Sequence, residues 1–353
     1  MPRLRYLTLF VLASACSVQR TPPVSTANAV DDHTAHMQVE DRMAPAPVAD
    51  AVSMLASQDP SLPASNATAA ARLAASPRHG EWVKIATTPG SADSIMAWIV
   101  YPKASGKAPV VVVVHEIFGL STWVRAVADQ AAAEGFIAIA PDFLSRVRGG
   151  PSSVELPSGE ATRLINGVNS TERNTIIAAA ANYAMMQPSA QQKYAVFGYC
   201  WGGGTTWMHA INGGLKGFKG GVAYYGLPYL KPGTPATATT AAVPATIDTD
   251  SLARIKTPIM LLNGAGDARI GAAMPALDSL MRSLKKEYTG INYPGAIHGF
   301  LRAQNDTRAP RAASATRPTA ETQEAVDAEL AANLAATKDA WPKTVEFLKR
   351  VLK

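Results

Sequence analysis

Five consecutive valines constrain this chain more than any other feature. They occupy Val110–Val114 in the stretch "PVVVVVHE". A run of β-branched residues with no polar alternation reads as a strand buried on both faces. Such a strand belongs inside a mostly parallel sheet with helices on both sides, an α/β fold. The flanking sequence agrees: "FIAIAPD", "YAVFGY", "GGVAYYG", "PIMLLNG" and "YTGINYP" read as further strands. Helix-compatible stretches separate them at 122–134, 172–186, 203–211 and 275–286. A last helix is expected over about 321–352, with Pro342 as a candidate break. Ahead of all these, "EWVKIAT" and "SIMAWIVYP" alternate apolar and polar residues around the turn "TPGSAD". That pattern predicts an antiparallel hairpin in front of the sheet. The expected folded unit is a single domain over 80–353.

The N-terminus reads differently. "MPRLRYLTLFVLASACS" has a basic start, a short apolar run and the small-residue exit Ala13-Ser14-Ala15. This is the pattern of a cleaved export signal over 1–15, and its apolar run is too short to span a bilayer. Cys16 follows directly, as in a bacterial lipoprotein signal, although Ala13 stands where that pattern has Leu. Lipidation of Cys16 and simple secretion both fit. The expected location is therefore periplasmic or secreted, with any membrane attachment through a lipid on Cys16.

From 16 to 79 Ala, Pro, Ser and Thr dominate without periodicity, which predicts a disordered tether. His33 and His36 inside it read as solvated side chains. Two more low-complexity stretches, 231–250 and 305–323, read as surface insertions, the second close enough to border a site at His298. The net charge of +6 comes without a Lys/Arg cluster or a basic-aromatic stripe, which argues against a nucleic-acid partner. A monomer is expected.

The chain has two cysteines. Cys200 lies in "AVFGYCWGGGTT", where it admits four readings: a buried small residue, a metal ligand, half of a disulfide or a nucleophile. Cys16 is no credible disulfide partner, and a Cys-based metal site lacks its second thiolate. What surrounds Cys200 favours the nucleophile. Gly-x-Cys-x-Gly-Gly is the nucleophile elbow with Cys in place of Ser, a strand-to-helix turn whose glycines let strand and helix approach. A position at a helix N-terminus also favours the thiolate.

Ligands of α/β sheets bind at the carboxyl ends of strands. Just past such ends stand His115 and Glu116, Cys200, Asp267 in "NGAGDARI" and His298 in "GAIHGF". The order nucleophile, acid, base is that of the α/β-hydrolase fold. In this arrangement His298 serves as general base and acid, and Asp267 fixes its tautomer. His115 reads as packing beside the site, and His79 and His209 as structural or exposed.

"HEIFG", "GYCWGG", "YYG", "GAGD" and "IHGF", in this order and spacing, resemble the dienelactone hydrolase (carboxymethylenebutenolidase) family over roughly 82–353. The resemblance implies an α/β-hydrolase fold and a triad of Cys200, His298 and Asp267 acting on small esters or lactones, anionic ones included. It implies that Glu116 holds the resting thiol and helps deprotonate it when substrate arrives. It places the oxyanion hole at the backbone N–H groups of Ile117 and Trp201, in line with the general rule for such elbows. Arg302 matches one of the family's substrate-carboxylate arginines. No residue matches its second arginine or accompanying tyrosine between 145 and 171, where Arg146, Arg148 and Arg163 lie off the pattern's place.

Two other classes stay open at this point: a non-catalytic exported binding module that kept the elbow, and thiol redox chemistry, which lacks a resolving cysteine. No cofactor is implied. There is no paired metal-ligand set and no dinucleotide fingerprint, and "GGGTT" has no Lys to make it a phosphate loop.

Overall fold

The valine run forms the strand Ala108–Val114 (β3), and all five valines are fully buried. Alternate residues of a strand face opposite sides, so burial of every one means both faces are covered. Each valine contributes on the order of 1.5–3 kcal/mol of burial energy. In the computed structural model the described residues are 48–103, 105–152, 156, 158–228, 230–231, 240, 246–304, 307–314 and 318–353. The expected export signal over 1–15, Cys16, His33 and His36, and most of the insertion at 231–250 lie outside them.

The other strands of the main sheet are Gly80–Ala86 (β1), Ser94–Val100 (β2), Ile137–Pro141 (β4), Ala190–Tyr199 (β5), Phe218–Tyr224 (β6), Ile259–Gly264 (β7) and Tyr288–Tyr293 (β8). They form one eight-stranded sheet in the order β1-β2-β4-β3-β5-β6-β7-β8. The expected hairpin pairs Gly80 with Val100 and Ala86 with Ser94 in antiparallel register. β2 also runs against β4, whereas every pair from β4 onward is parallel. This is the mostly parallel α/β-hydrolase sheet with an antiparallel edge. The carboxyl ends of β3, β5, β6, β7 and β8 consequently stand side by side.

Helices Thr122–Ala133 (α3), Ser170–Met185 (α4), Trp201–Ile211 (α5), Ala268–Ser283 (α6) and Gln323–Val351 (α7) pack on this sheet. Two of them depart from the sequence expectation for one reason. α6 begins seven residues before Pro275, and α7 runs unbroken through Pro342. Proline removes a hydrogen bond to the carbonyl four residues earlier. Pro342 and Lys338 are both exposed, so water can serve the carbonyl that Pro342 leaves unbonded, and Pro275 is likewise exposed. Buried Trp341, Thr344, Phe347 and Leu348 hold α7 in place around the defect.

The expected tether over 16–79 is corrected for 48–79. Helices Val48–Ala56 (α1) and Ala69–Ala74 (α2) form there, and Gln58, Leu62, Ala64, Ser65 and Thr68 are buried. Side-chain hydrogen bonds fasten the segment, beside the burial of Leu62 and Ala69 in the core. Arg78 and Ser76 both bind Asp129 of α3, at 2.6 Å for the closest contact of each. Gln130 of α3 donates to the carbonyl of Pro60. Composition without periodicity hides such a segment, because its anchors are polar and distant in sequence.

Candidate active site

The elbow after β5 is tight enough to exclude side chains. A Cβ on Gly198 would lie 2.3 Å from the Gly202 carbonyl oxygen, and one on Gly202 would lie 2.3 Å from that of Val114. β5, α5 and the exit of β3 therefore meet backbone to backbone. Cys200 takes φ 55° and ψ −118° at this turn, a conformation that costs a non-glycine residue about 1–3 kcal/mol. Its N–H donates to the Tyr224 carbonyl at 3.0 Å, and its own carbonyl accepts from Gly204 at 3.1 Å. Cys200 as a whole is 6 % exposed, at the N-terminus of α5.

Trp201 is the first residue of α5, so its N–H has no intrahelical acceptor. Ile117 lies on the exit loop of β3, two residues past His115, whose carbonyl a Cβ on Gly202 would also crowd at 2.6 Å. The two backbone groups expected to form an oxyanion hole thus sit on segments in direct contact.

Asp267 and His298 meet as the sequence order suggests. Asp267 ends the turn after β7 and caps α6, its Oδ1 accepting from the Ile270 N–H at 3.2 Å. Its Oδ2 lies 2.8 Å from His298 Nδ1, and both side chains are buried. One carboxylate thereby starts a helix and orients an imidazole.

Glu116 and Arg302 form a second buried pair, with Arg302 Nη2 2.5 Å from Glu116 Oε1. Arg302 comes from a short 3-10 turn, Phe300–Arg302, just past His298. Its guanidinium stacks on the Trp123 ring of α3 at 4.4 Å. Glu116 Oε2 is buried with no hydrogen-bond partner among the described residues.

Sequence reasoning missed two residues that pack against the site, Trp123 and Tyr225. Tyr225 adopts φ 37°, and its ring centroid is 4.6 Å from that of His298. The "YYG" triplet at the end of β6 was the available signal. Trp123 had none, because an aromatic on a helix facing a sheet is ordinarily core.

His115 packs beside the site, stacked on Trp201 with centroids 6.0 Å apart. The Phe143 N–H donates to its Nε2 at 3.0 Å, so its Nδ1 carries the proton and donates to the Glu116 carbonyl. Burial pushes the His115 ring below its ordinary pKa, which keeps it neutral. His209 is buried away from the sheet edge, bonded to Tyr194 and Asn174, and burial drives its pKa down to about 3. His79 is exposed. Arg146 pairs with Asp93 and Glu172 at the surface, and Arg163 lies near Glu160.

The described part of the 305–323 stretch is clamped to α7, with Arg308 and Arg311 bound to Glu321 and Glu329. Among the described residues no group of three or more His, Cys, Asp or Glu side chains is placed to hold a metal ion. No helix among them is long and apolar enough to cross a membrane.

Comparison with known proteins agrees with this geometry. The sequence profile of the dienelactone hydrolase family matches residues 95–352. The "Putative carboxymethylenebutenolidase" of Synechocystis sp. is 27% identical over 275 residues, covering 76% of this chain and 97% of its own. A crystal structure titled "Putative Dienelactone Hydrolase" from Klebsiella pneumoniae superposes with a TM-score of 0.52 at 22% identity, covering 74% of this chain and 99% of that one. A dienelactone hydrolase-like promiscuous phosphotriesterase from metagenomic libraries gives 0.54 at 20% identity, covering 78% and 99%. At those identities the structural likenesses speak for the fold. The sequence match extends over most of the folded chain and over every strand end described above, and the chain belongs to the dienelactone hydrolase family.

Proposed function

We propose that this chain hydrolyses small carboxylic esters or lactones through a Cys200–His298–Asp267 triad and a thioester acyl-enzyme. The reading rests above all on the strained Cys200 elbow standing in the same row of strand ends as the bonded His298–Asp267 pair. Family membership supplies the reaction class, ester or lactone hydrolysis.

In the proposed mechanism, Asp267 holds His298 in the tautomer whose Nδ1 carries the proton, leaving Nε2 to accept the one from the thiol. The Cys200 sulfur attacks the carbonyl carbon, and the oxyanion receives hydrogen bonds from the N–H groups of Ile117 and Trp201. The imidazolium returns its proton to the leaving oxygen as the carbon–oxygen bond breaks. Water then attacks the thioester, His298 takes a proton from it, and the thiolate leaves the freed acid. Asp267 stays ionised throughout.

Arg302 is the proposed anchor for a substrate carboxylate. Such a group competes with Glu116 for the guanidinium, and Glu116, once displaced, becomes a second proton acceptor for Cys200. Anionic substrates would in this way switch on the thiol that they are about to meet.

Turnover of an aryl ester and of a carboxylate-bearing enol-lactone by wild type and Cys200→Ala tests the assignment. Loss of at least about a thousandfold in kcat is expected in the variant, and unchanged turnover would sink it. The leader pattern over 1–15 further supports a proposal of export. The mass of the mature N-terminus checks this, since a chain beginning at Met1 contradicts it.

A further inference from the structure

Gln304 stands two residues past Arg302 and is 3% exposed. Every polar atom of its side chain is spent on the segment 58–68. Its Oε1 accepts from the Asp59 N–H at 2.9 Å, and its Nε2 is within reach of the carbonyls of Asp59, Leu62 and Pro63 at 3.1, 3.3 and 2.8 Å. Gln58 answers by donating to the Gln304 backbone carbonyl at 2.9 Å, while Ser65 and Thr68 hold its own amide. The same segment reaches Arg302 from a second side. The Trp123 indole N–H donates to the Ala64 carbonyl at 2.9 Å, and the face of that ring carries the Arg302 guanidinium. Residues 58–68 lie wholly outside the stretch matched by the family, which begins at 95.

From this convergence we infer that segment 58–68 is a strap that positions Arg302, and that it sets how well the site takes anionic substrates. The inference rests on the reading of Arg302 as the carboxylate anchor. A guanidinium on a long, many-rotamer side chain recognises a carboxylate bidentately only if its plane is held. The strap fixes the backbone that carries the arginine through Gln304 and the plane of its head group through Trp123. Neither residue touches the proposed path of the thiol chemistry. Gln304 and Trp123 are therefore positioning residues, and their loss should weaken anion recognition selectively.

The experiment compares kcat and KM of the full chain on a carboxylate-bearing enol-lactone and on neutral p-nitrophenyl acetate. Gln304→Ala is expected to lower kcat/KM for the anionic substrate about tenfold, mainly through KM, with the neutral ester within about twofold. Trp123→Phe keeps the ring over Arg302 but loses the N–H to Ala64, and should show the same split at about threefold. This second variant decides the matter if Gln304→Ala does not fold. An equal loss on both substrates, or none on either, overturns the strap's role. Arg302→Lys serves as reference. If it removes the anionic preference while the strap variants keep it, the strap inference fails alone. If it leaves the preference intact, the reading of Arg302 fails and takes the strap's role with it.

Discussion

Two buried carboxylate pairs, Asp267–His298 and Glu116–Arg302, share one sheet edge, and they are built in opposite ways. In Asp267–His298 both carboxylate oxygens are bound, one by the imidazole and one by the N-terminus of α6. In Glu116–Arg302 only Oε1 is bound, and Oε2 is buried without a hydrogen-bond partner among the described residues. A carboxylate committed at both oxygens cannot rotate away without losing a helix cap. One committed at a single oxygen can change partners at the cost of one contact. Burying an ion pair is seldom stabilising against an apolar replacement, so a half-satisfied one suits a group that moves. In the proposed mechanism the first pair orients, and the second exchanges.

The largest effect should come from disturbing the orienting pair. Asp267→Asn keeps a side-chain oxygen for the Ile270 N–H but presents the wrong partner to His298. By analogy with other oriented imidazoles, kcat should fall by about 10⁴ while thermal unfolding stays within a few degrees. Steady-state kinetics beside a melting curve checks both halves.

Breaking the exchanging pair should show mostly in stability. Arg302→Met leaves the Glu116 charge buried and uncompensated, which costs about 3–5 kcal/mol in denaturant unfolding. Adding Glu116→Gln should recover most of that loss. A double variant no more stable than the single one would show that the two side chains are not energetically coupled.

His209 sharpens the contrast from outside the site, because its partners, Tyr194 and Asn174, are neutral. Burial puts its folded pKa at about 3, below the ordinary value of about 6.5. The unfolded chain thus takes up the proton first. The stability His209 allows is intact above pH 6.5 and is lost as pH falls toward 3, by up to about 1.4 kcal/mol per unit. His209→Gln should flatten the acid limb of stability against pH between 6 and 4. An unchanged slope would mean that this histidine is not buried in its neutral form.

The smallest effect isolates capping from catalysis. Thr322 caps α7 by accepting from the Ala325 N–H at 3.1 Å, with no second duty like that of Asp267. Thr322→Ala should cost about 1 kcal/mol and leave kcat unchanged, as chemical denaturation and an ester assay can show.

Much of this was legible in the residues. The valine run fixed the sheet's centre, and the Gly-x-Cys-x-Gly-Gly turn located the elbow because both are local. Asp267 and His298 were legible because each follows a recognisable strand within a few residues. Other features were not. The start of α6 depends on the Asp267 carboxylate acting as a cap, and glycine and proline in "ARIGAAMP" argue locally against helix. The passage of α7 through Pro342 depends on which side of the helix meets water. The ordering of 48–79 depends on hydrogen bonds such as Gln58 to Gln304, 246 positions apart. Pattern reading sees periodicity, and polar anchors between distant segments leave none.

In the proposed reaction Cys200 carries the acyl group. Rapid quenching of the enzyme with an activated aryl ester, followed by intact-mass and peptide analysis, tests it directly. A mass increase of one acyl group is expected, located on Cys200, forming before steady state, decaying with substrate exhaustion and absent in Cys200→Ala. Acylation at another residue, or full turnover by Cys200→Ala with no acylated species, would contradict it.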